Sequence, residues 1–315
     1  MNYYYSKLSH SQKNIYDAVV DAALNFEHKA TFSGGFRTSS NDLQKVIIAI
    51  QQDRPDLFYL EHQISITGGI GFGTAHLKYL YRKDDARRLN SQLRNAILSI
   101  ANSASKISGE YEKVLFVHDY LAENVVYDLN APNAHNAYGA LVDKRAVCQG
   151  ISYAFKLVMD ALNIECIDAI GEVNTRDVRG PHGWNLVRVN GRWYHIDVTL
   201  DMKQNGTIFH TYFLINDEDV RINHRYTEIV DIPCKSINDN YFFRNKAYFA
   251  SFDEAGKYIA HQLKKTGRAE VKMLKIGTED ATSKIMNAVQ RNSFLPIGFF
   301  VSSYVEFQIY CVFKR

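Results

Sequence analysis

Cys148 is the residue whose position best suits covalent chemistry. Residues 143–145 predict a turn, and an apolar stripe at helical spacing follows (Ile151, Ala154, Phe155, Val158 and Met159). The pattern predicts a helix that begins at or near Cys148. Unpaired N–H groups and the macrodipole at a helix N-terminus favour an anion, which lowers the pKa of a thiol. The same N–H groups could hold an oxyanion, so Cys148 is the candidate nucleophile.

The other three cysteines lack such a setting. Cys166 falls in an apolar stretch that predicts a strand, and we expect Cys166, Cys234 and Cys311 to be structural. None of the four forms C-x-x-C, and their spacing suits neither a zinc site nor a disulfide-rich scaffold. No D-x-[DN]-x-[DN]-G calcium loop occurs in the sequence. We therefore predict no metal and no cofactor.

Two residues that could activate a thiol flank a hairpin further along the chain. Asn190 and Gly191 are the strongest short-range signal for a type I′ turn. With these two as the turn, Trp184 faces Asp197, and His182 is the diagonal neighbour of Asp197 on the same face. Diagonal neighbours have Cα atoms roughly 7–8 Å apart, which allows an imidazole to hydrogen-bond a carboxylate. A bulge in either strand would change this register.

Cys148, His182 and Asp197 together match the arrangement of a nucleophile, a general base and an orienting acid. His195 lies on the same face and is a competing candidate base. Its cross-strand partner is Leu186, which lies further from the open end of the hairpin. We therefore rank His195 second.

Three blocks of sequence around these residues resemble the core of the transglutaminase-like superfamily, of bacterial type. The blocks are GALV at 139–142, AVCQG at 146–150, and HGWNLV at 182–187 continuing through NGRWYHIDVT at 190–199. The resemblance covers roughly residues 110–233, where Tyr127, Asp128 and residues 212–214 also fit. It implies a papain-like Cys-His-Asp site on an α+β fold.

Residue by residue, the resemblance implies Cys148 as nucleophile, His182 as base and Asp197 as orienting acid. It also implies a set of residues that shape the site, with Tyr138 assigned to the oxyanion position (Tyr138, Gln149, Trp184 and Asn185). One departure is clear. The family usually has Trp after Asp-x-Thr, and this chain has Leu200.

The implied enzyme attacks a glutamine carboxamide with its thiolate, releases ammonia and forms a thioester. The acyl group of the thioester then passes either to an amine or to water. Transfer to an amine cross-links the substrate, and transfer to water deamidates the glutamine. The predicted partners are protein or peptide substrates that supply glutamine, with lysine or another amine as acceptor. Because Leu200 replaces a bulkier residue, we expect water to compete with the amine.

Two other functions stay open. The same triad could cut a peptide bond, as in a cysteine protease. The chain could also be a non-catalytic binding or assembly module, in which the flanking segments present the active surface. Non-catalytic relatives are expected to lose the cysteine or the histidine, and this chain keeps all three triad residues, which favours an enzyme.

The residues before the core predict a mainly helical N-terminal domain, 1–108, that contains a β-hairpin. Ser9 and Gln12 form a capping-box pattern ahead of an apolar helical stripe. Further helices are predicted at 41–52, 84–105 and 110–124, and aromatic-rich alternating stretches at 58–66 and 75–81. The glycines between those stretches are spaced for a hairpin turn rather than a phosphate loop. His118, on the last helix, is expected to be a satisfied core-edge histidine rather than a metal ligand, because no second metal-type residue lies four positions further along the same face.

The catalytic core is predicted at 109–235 and a small α+β accessory domain at 236–315. Strands are predicted at 241–249, 270–276 and 305–313, and helices at 254–265 and 281–291. Ser251 and Glu254 form a second capping-box pattern. No cluster of chemistry-bearing residues occurs in this part of the sequence.

Composition bounds the remaining possibilities. The 315 residues carry 37 Lys and Arg against 34 Asp and Glu, and this balance argues against a nucleic-acid binder. No run approaches the ~18 apolar residues of a membrane span, and residues 1–7 lack the apolar core of a signal peptide. The sequence predicts a cytoplasmic protein, or a secreted or cell-surface one if a signal peptide has been removed. It leaves the oligomeric state undetermined.

Overall fold

Helices and short sheets are interleaved along the chain, which is the predicted α+β class. The computed structural model describes residues 2–33, 40–69, 71–176, 178–204, 206–227, 230–273, 280–293, 299–304 and 309–314. Every structural statement below refers to these residues.

Three helices begin the chain: α1 (Tyr3–Lys7), α2 (His10–Asn25) and α3 (Ser40–Asp53). The predicted capping box of α2 is present, since the N–H of Gln12 donates to Ser9 Oγ and the N–H of Ser9 donates to Gln12 Oε1. The apolar stripe of α2 is buried except at Leu24, which is exposed.

A three-stranded antiparallel sheet packs beside these helices. Its strands are β1 (Lys29–Ser33), β2 (Ser65–Gly69) and β3 (Phe72–His76), in the order β1-β3-β2. The predicted glycine-rich hairpin joins β2 to β3, although residue 70 lies outside the described residues. Strands β2 and β3 lie closer to the turn than the predicted stretches at 58–66 and 75–81. Residues 58–60 follow a 3₁₀ turn (Pro55–Leu57) and bury their side chains in the core instead.

The predicted long helices follow as α4 (Lys83–Ser105) and α5 (Glu110–Asn124). His118 is buried on α5, as predicted. Two short parallel strands, β4 (Val126–Tyr127) and β5 (Arg145–Ala146), then flank a π-helical turn (Gly139–Asp143). This segment leads into α6 (Cys148–Ala161). Within the described ranges, no helix combines the length and the apolar character that crossing a membrane requires.

A four-stranded antiparallel sheet packs against α6. Its strands are β6 (Cys166–Asn174), β7 (Arg179–Val189), β8 (Arg192–Ile196) and β9 (His224–Tyr226), in the order β8-β7-β6-β9. Asn190 and Gly191 both have positive φ, at 49° and 79°, as a type I′ turn requires. Leu186 pairs with His195, so the predicted register of the β7–β8 hairpin is confirmed.

The rest of the chain supplies four helices and four strands among the described residues. They are α7 (Asp217–Val220), α8 (Tyr241–Arg244), β10 (Tyr248–Phe249), α9 (Phe252–Thr266), β11 (Arg268–Met273), α10 (Ala281–Asn292), β12 (Phe299–Tyr304) and β13 (Ile309–Lys314). The last four strands form one sheet in the order β10-β11-β13-β12.

Two predictions for this C-terminal part were wrong, and one strand was missed. The first half of the predicted strand 241–249 is the helical turn α8, because the Asn240 side chain accepts from the N–H of Phe242 and caps it. Ser251 precedes α9 but makes no capping hydrogen bond. Strand β12 was not predicted. The predicted strand residues 274–276 and 305–308 lie outside the described residues.

One buried apolar cluster extends from Tyr3 to Cys234, so residues of the predicted N-terminal domain and of the predicted core share it. A second cluster lies between α9, α10 and the C-terminal sheet. A third joins Phe209 and Ile215, which follow β8, to Cys311 on β13. The three domain ranges stay predictions.

Gly150 allows the loop before α6 to cross the first turn of that helix. A Cβ atom at residue 150 would lie 2.8 Å from the carbonyl oxygen of Asn136 and closer still to that of Ala134. Both contacts are with backbone atoms, which cannot rotate away. A side chain at this position would therefore push the loop off the helix.

We expect Gly150→Ala to lower the free energy of unfolding by about 1–3 kcal/mol, because overpacking outweighs the better helix propensity of alanine. Denaturant unfolding measures the change. Ser99→Ala, on an exposed position of α4, is the control and should shift stability by no more than about 0.5 kcal/mol. Equal stability of the two variants would contradict the packing argument.

Candidate active site

Cys148 is the first residue of α6, where the sequence predicts the helix to begin. Val147 before it is extended (φ −101°, ψ 179°), and no side-chain cap bonds to the first turn. The N–H groups of that turn therefore point out of the helix without a capping partner. Cys148 itself is partly exposed, so a substrate can reach the thiol.

His182 and Asp197 meet where β7 begins and β8 ends, as the hairpin register predicts. The Nε2–H of His182 donates to Oδ2 of Asp197 at 2.6 Å, and both side chains are buried. The N–H of Leu200 donates to Oδ1 of the same carboxylate at 3.2 Å. Because Asp197 accepts from Nε2, the Nδ1 atom of His182 is the one left for the thiol, and Cys148 is among the groups that raise the pKa of His182.

The surroundings favour a thiolate and an imidazolium. Burial alone raises the pKa of Cys148, but the hydrogen bond and charge of His182 and the N–H of Gly183 hold it below that of an ordinary cysteine. Burial alone lowers the pKa of His182, but Asp197 and Cys148 raise it to about 10. Against the effect of burial, His182 and His224 keep the pKa of Asp197 well below its usual range.

His224 is a second imidazole on the same carboxylate, and sequence reasoning missed it. Its Nε2–H donates to Asp197 Oδ2 at 3.0 Å, while its Nδ1 lies 2.7 Å from Oδ1 of Asn223. Asn223 is held in turn, since its Nδ2 donates to the hydroxyl of Tyr212. His224 reaches the site because β9 pairs with β6, placing Val173 opposite His224. Nothing in the local sequence signals this pairing.

Trp184 supports the imidazole from behind rather than lining an open cleft. It is 1% exposed, and its ring stacks on His182 with the centroids 6.3 Å apart. Its Nε1–H donates to Nδ1 of His195 at 3.2 Å, and the Nε2–H of His195 donates to Asp217. The structure thus pairs His195, the competing base, with a different carboxylate, while His182 is paired with Asp197.

Tyr127, rather than Tyr138, has its hydroxyl against Cys148. The hydroxyl of Tyr138 donates to Gln92 on α4 at 2.8 Å, and the ring of Tyr138 stacks on Phe58. The side chain of Tyr138 therefore contacts residues that precede the predicted core. Burial raises the pKa of the Tyr127 hydroxyl, and the neighbouring thiol of Cys148 raises it further. The assignment of Tyr138 to the oxyanion position stays a prediction, and its hydrogen bond to Gln92 does not support it. The pair Tyr127 and Asp128 was the available signal.

Gln149 and Asn185 hold the elements that carry the thiol and the imidazole. Gln149 bonds to Tyr153 at 3.0 Å and to His135 at 3.2 Å. The Nδ2 of Asn185 donates to the carbonyl of Ser152 on α6 and to Asp168 on β6. Asn185 therefore ties α6 to the sheet directly below the site.

The other cysteines are buried, as expected of structural residues. Burial raises the pKa of Cys166, Cys234 and Cys311 above the ordinary value for a thiol. Of the four, Cys148 has a lowered pKa.

Three groups of side chains in the described part of the chain have ligand atoms close enough to hold a metal ion. They are His182, Asp197 and His224; His195, Asp217 and Cys234; and His118, Asp119 and His210. The first two groups belong to the hydrogen-bond network around the site. The third lies apart from it.

Residues 99–198 match the family model of the transglutaminase-like superfamily. The chain carries a transglutaminase-like domain. The matched residues include Cys148, His182 and Asp197, and they run from the end of α4 to just beyond β8. No curated protein matches the chain in sequence.

Two solved structures are similar to the chain at low sequence identity. A TGase is 17% identical over 59% of this chain and 54% of its own, with a TM-score of 0.33. A candidate cysteine protease from Cytophaga hutchinsonii is 16% identical over 46% of this chain and 64% of its own, with a TM-score of 0.32. The match thus covers less than two thirds of the length of either protein. Likeness at this level does not extend to activity or substrate.

We expect iodoacetamide at limiting concentration to alkylate Cys148 before the other three cysteines. The lowered pKa of Cys148 moves the midpoint of its rate–pH curve below that of a free cysteine, and the raised pKa values of the others keep them as thiols at neutral pH. Peptide mass spectrometry across a pH series measures both. Preferential labelling of Cys166, Cys234 or Cys311 would contradict the assignment of Cys148 as the reactive thiol.

We expect His224→Leu to lower the free energy of unfolding by about 1.5–3 kcal/mol, because it removes a hydrogen bond to a buried carboxylate. It should also slow alkylation of Cys148, since Asp197 is less well held. His224→Gln, whose amide can donate, should recover part of both. His261→Leu on the exposed face of α9 is the control, and equal effects at 224 and 261 would show that His224 does not support the site.

Proposed function

We propose that this protein is a cysteine acyltransferase that acts on glutamine carboxamides of proteins through a thioester. Cys148 is the nucleophile, His182 the acid and base, and Asp197 the orienting acid. The observation that carries the proposal is the position of His182, whose Nε2–H donates to Asp197 at 2.6 Å and whose imidazole lowers the pKa of the neighbouring Cys148 thiol. This is the arrangement that activates a thiol for acyl transfer.

The first half of the reaction forms the acyl-enzyme. The thiolate of Cys148 attacks the carboxamide carbon, a C–S bond forms, and the carbonyl oxygen becomes an oxyanion. The imidazolium of His182 gives its proton to the amide nitrogen, the C–N bond breaks, and ammonia leaves. The uncapped N–H groups at the start of α6 and the hydroxyl of Tyr127 support binding of the oxyanion.

The second half returns the enzyme to its starting state. His182, now neutral, takes a proton from an amine or a water as that molecule attacks the thioester carbon. The C–S bond breaks, and the thiolate–imidazolium pair forms again. Asp197 keeps Nε2 of His182 protonated throughout, which leaves Nδ1 to exchange the proton.

The open setting of the thiol favours water as one of the acceptors. Trp184 lies buried behind His182, and the side chain of Leu200 packs toward the cluster of Phe209 and Tyr212. Neither forms an aromatic wall beside the thiol. On the other side, Tyr127 is 45% exposed. A site that does not exclude water lets hydrolysis compete with transfer to an amine.

Protein or peptide substrates are the proposed partners, with glutamine as donor and lysine or another amine as acceptor. Peptide-bond hydrolysis by the same three residues is the alternative reaction, and a non-catalytic binding or assembly module is the alternative class. Nucleic acid is not a proposed partner, since the net charge is only +3.

We expect ammonia release from a glutamine-containing protein both with and without a dansylated amine, with part of the product dansylated when the amine is present. A coupled ammonia assay and product mass spectrometry measure the two routes. Ammonia that appears only with amine would show a strict transferase. Cleavage of the peptide backbone would instead establish the protease alternative.

The control variants separate the proposed base from its competitor. His182→Gln and Cys148→Ala should abolish ammonia release, whereas His195→Gln should retain it as long as the variant folds, which thermal unfolding checks. If folded wild-type protein alkylates at Cys148 but gives neither ammonia nor cleavage on any substrate tested, the chain acts as a binding module.

A further inference from the structure

A buried cluster of two histidines and three carboxylates lies where α5, the segment after β8 and strand β11 meet. Its members are His118 and Asp119 on α5, Asp201 and His210 after β8, and Glu270 on β11. Neither the proposed reaction nor the side-chain network of the active site uses these residues, and the backbone N–H of Tyr212 donates to Asp201 Oδ2 at 2.9 Å. From this cluster we infer a binding site for a zinc-class divalent metal ion, with His118, Asp119 and His210 as its ligands.

The three ligand atoms lie close together. Oδ1 of Asp119 lies 2.8 Å from Nδ1 of His118 and 3.0 Å from Nε2 of His210, and the three groups lie within 4.8 Å of one another. Two atoms bound to one zinc ion at about 2.1 Å are themselves roughly 3.0–3.4 Å apart. The spacing of the cluster is close to that range.

In each of the two histidines, the ring nitrogen that is not a proposed ligand lies near a carboxylate, as is usual for metal-bound histidines. Nδ1 of His210 lies 3.1 Å from Glu270 Oε2, and Nε2 of His118 lies 3.3 Å from Asp201 Oδ2. A carboxylate behind a ligating histidine fixes its tautomer and increases its basicity toward the metal. Two histidines with this feature, both aimed at the same third carboxylate, are not explained by packing alone.

The rings are also held rigidly. His210 stacks on Tyr241 with centroids 3.9 Å apart and planes 5° apart, and His118 meets the edge of Phe213 at 5.1 Å. Such packing presets the directions of the ligand atoms before an ion arrives.

The cluster has unmet polar groups that an ion would help to compensate. Of the buried side-chain oxygens without a hydrogen-bond partner in the described ranges, two belong to it: Asp201 Oδ1 and Glu270 Oε1. Asp201 is fully buried, and carboxylates outnumber imidazoles three to two. Burying carboxylates without full compensation is costly, and a divalent cation among them offsets that cost.

The donor set selects the class of ion. Two imidazole nitrogens and one carboxylate oxygen suit zinc and other first-row transition ions, whereas calcium and magnesium prefer oxygen ligands. The side chain of Asp119 is 37% exposed, so water can reach the ion on that side and complete its coordination. The ligands join α5 to the segment after β8, and Glu270 adds β11, so the ion ties the C-terminal sheet to the core.

The test uses the full chain after dialysis against EDTA, titrated with Zn²⁺ in competition with a chromogenic chelator. We expect one Zn²⁺ per chain and a rise in Tm of at least about 5 °C at saturation. Asp119→Ala should weaken binding by at least about 100-fold, and Glu270→Gln by about 10–100-fold. Glu123→Gln, on an exposed position of the same helix, is the matched control and should bind as the wild type does.

Two further measurements keep the inference falsifiable if Asp119→Ala fails to fold. His210→Gln should also lose the ion, and Co²⁺ bound in place of Zn²⁺ should show d–d bands without a sulfur-to-cobalt charge-transfer band. Absence of zinc binding by the wild type, or binding that survives both ligand substitutions, would overturn the site. A sulfur-to-cobalt band, or loss of the ion in Cys148→Ser or Asp217→Asn, would place the ion at one of the other clusters and overturn it equally.

Discussion

The carboxylate of Asp197 is fully buried, and a buried charge is stable only when partners compensate it on every side. Three parts of the chain supply those partners: His182 from β7, His224 from β9 and the N–H of Leu200 from the segment after β8. Each partner fixes the position of its own element relative to the carboxylate. The sheet order β8-β7-β6-β9 is the arrangement that brings all three to one point.

Helix α6 must keep a fixed position relative to that sheet, because Cys148 lies on the helix and His182 lies on the sheet. Asn185 makes this connection by donating to the carbonyl of Ser152 and to Asp168. Burial raises the pKa of Asp168 to about 8, and the hydroxyl of Tyr4 donates to its backbone carbonyl. Helix α1 is thereby bound to the strand beneath the site, so the N-terminal residues help to support the catalytic elements.

The sequence predicted those parts of the structure that neighbouring residues determine, such as a turn and the register of its hairpin. The turn at Asn190 and Gly191 sets a register, and a register determines which side chains face each other, so the contact of His182 with Asp197 could be predicted. His224 could not, because the pairing of β9 with β6 joins residues about 50 positions apart and leaves no local pattern. The same reason hid β1 and the pairing of His118 with Asp201. A tyrosine near a cysteine in sequence need not point toward it, as the hydrogen bond of Tyr138 to Gln92 illustrates, whereas the pairing of β4 with β5 brings Tyr127 alongside Ala146, two residues before Cys148.

The start of α6 also shows a trade between stability and function. Val147, a buried apolar residue, occupies the position where Ser, Thr, Asp or Asn would cap the helix and add about 1 kcal/mol of stability. A capping side chain there would bond to the same N–H groups that face the thiol. The helix instead begins with unpaired N–H groups, and in the proposed reaction the oxyanion takes the place of a cap.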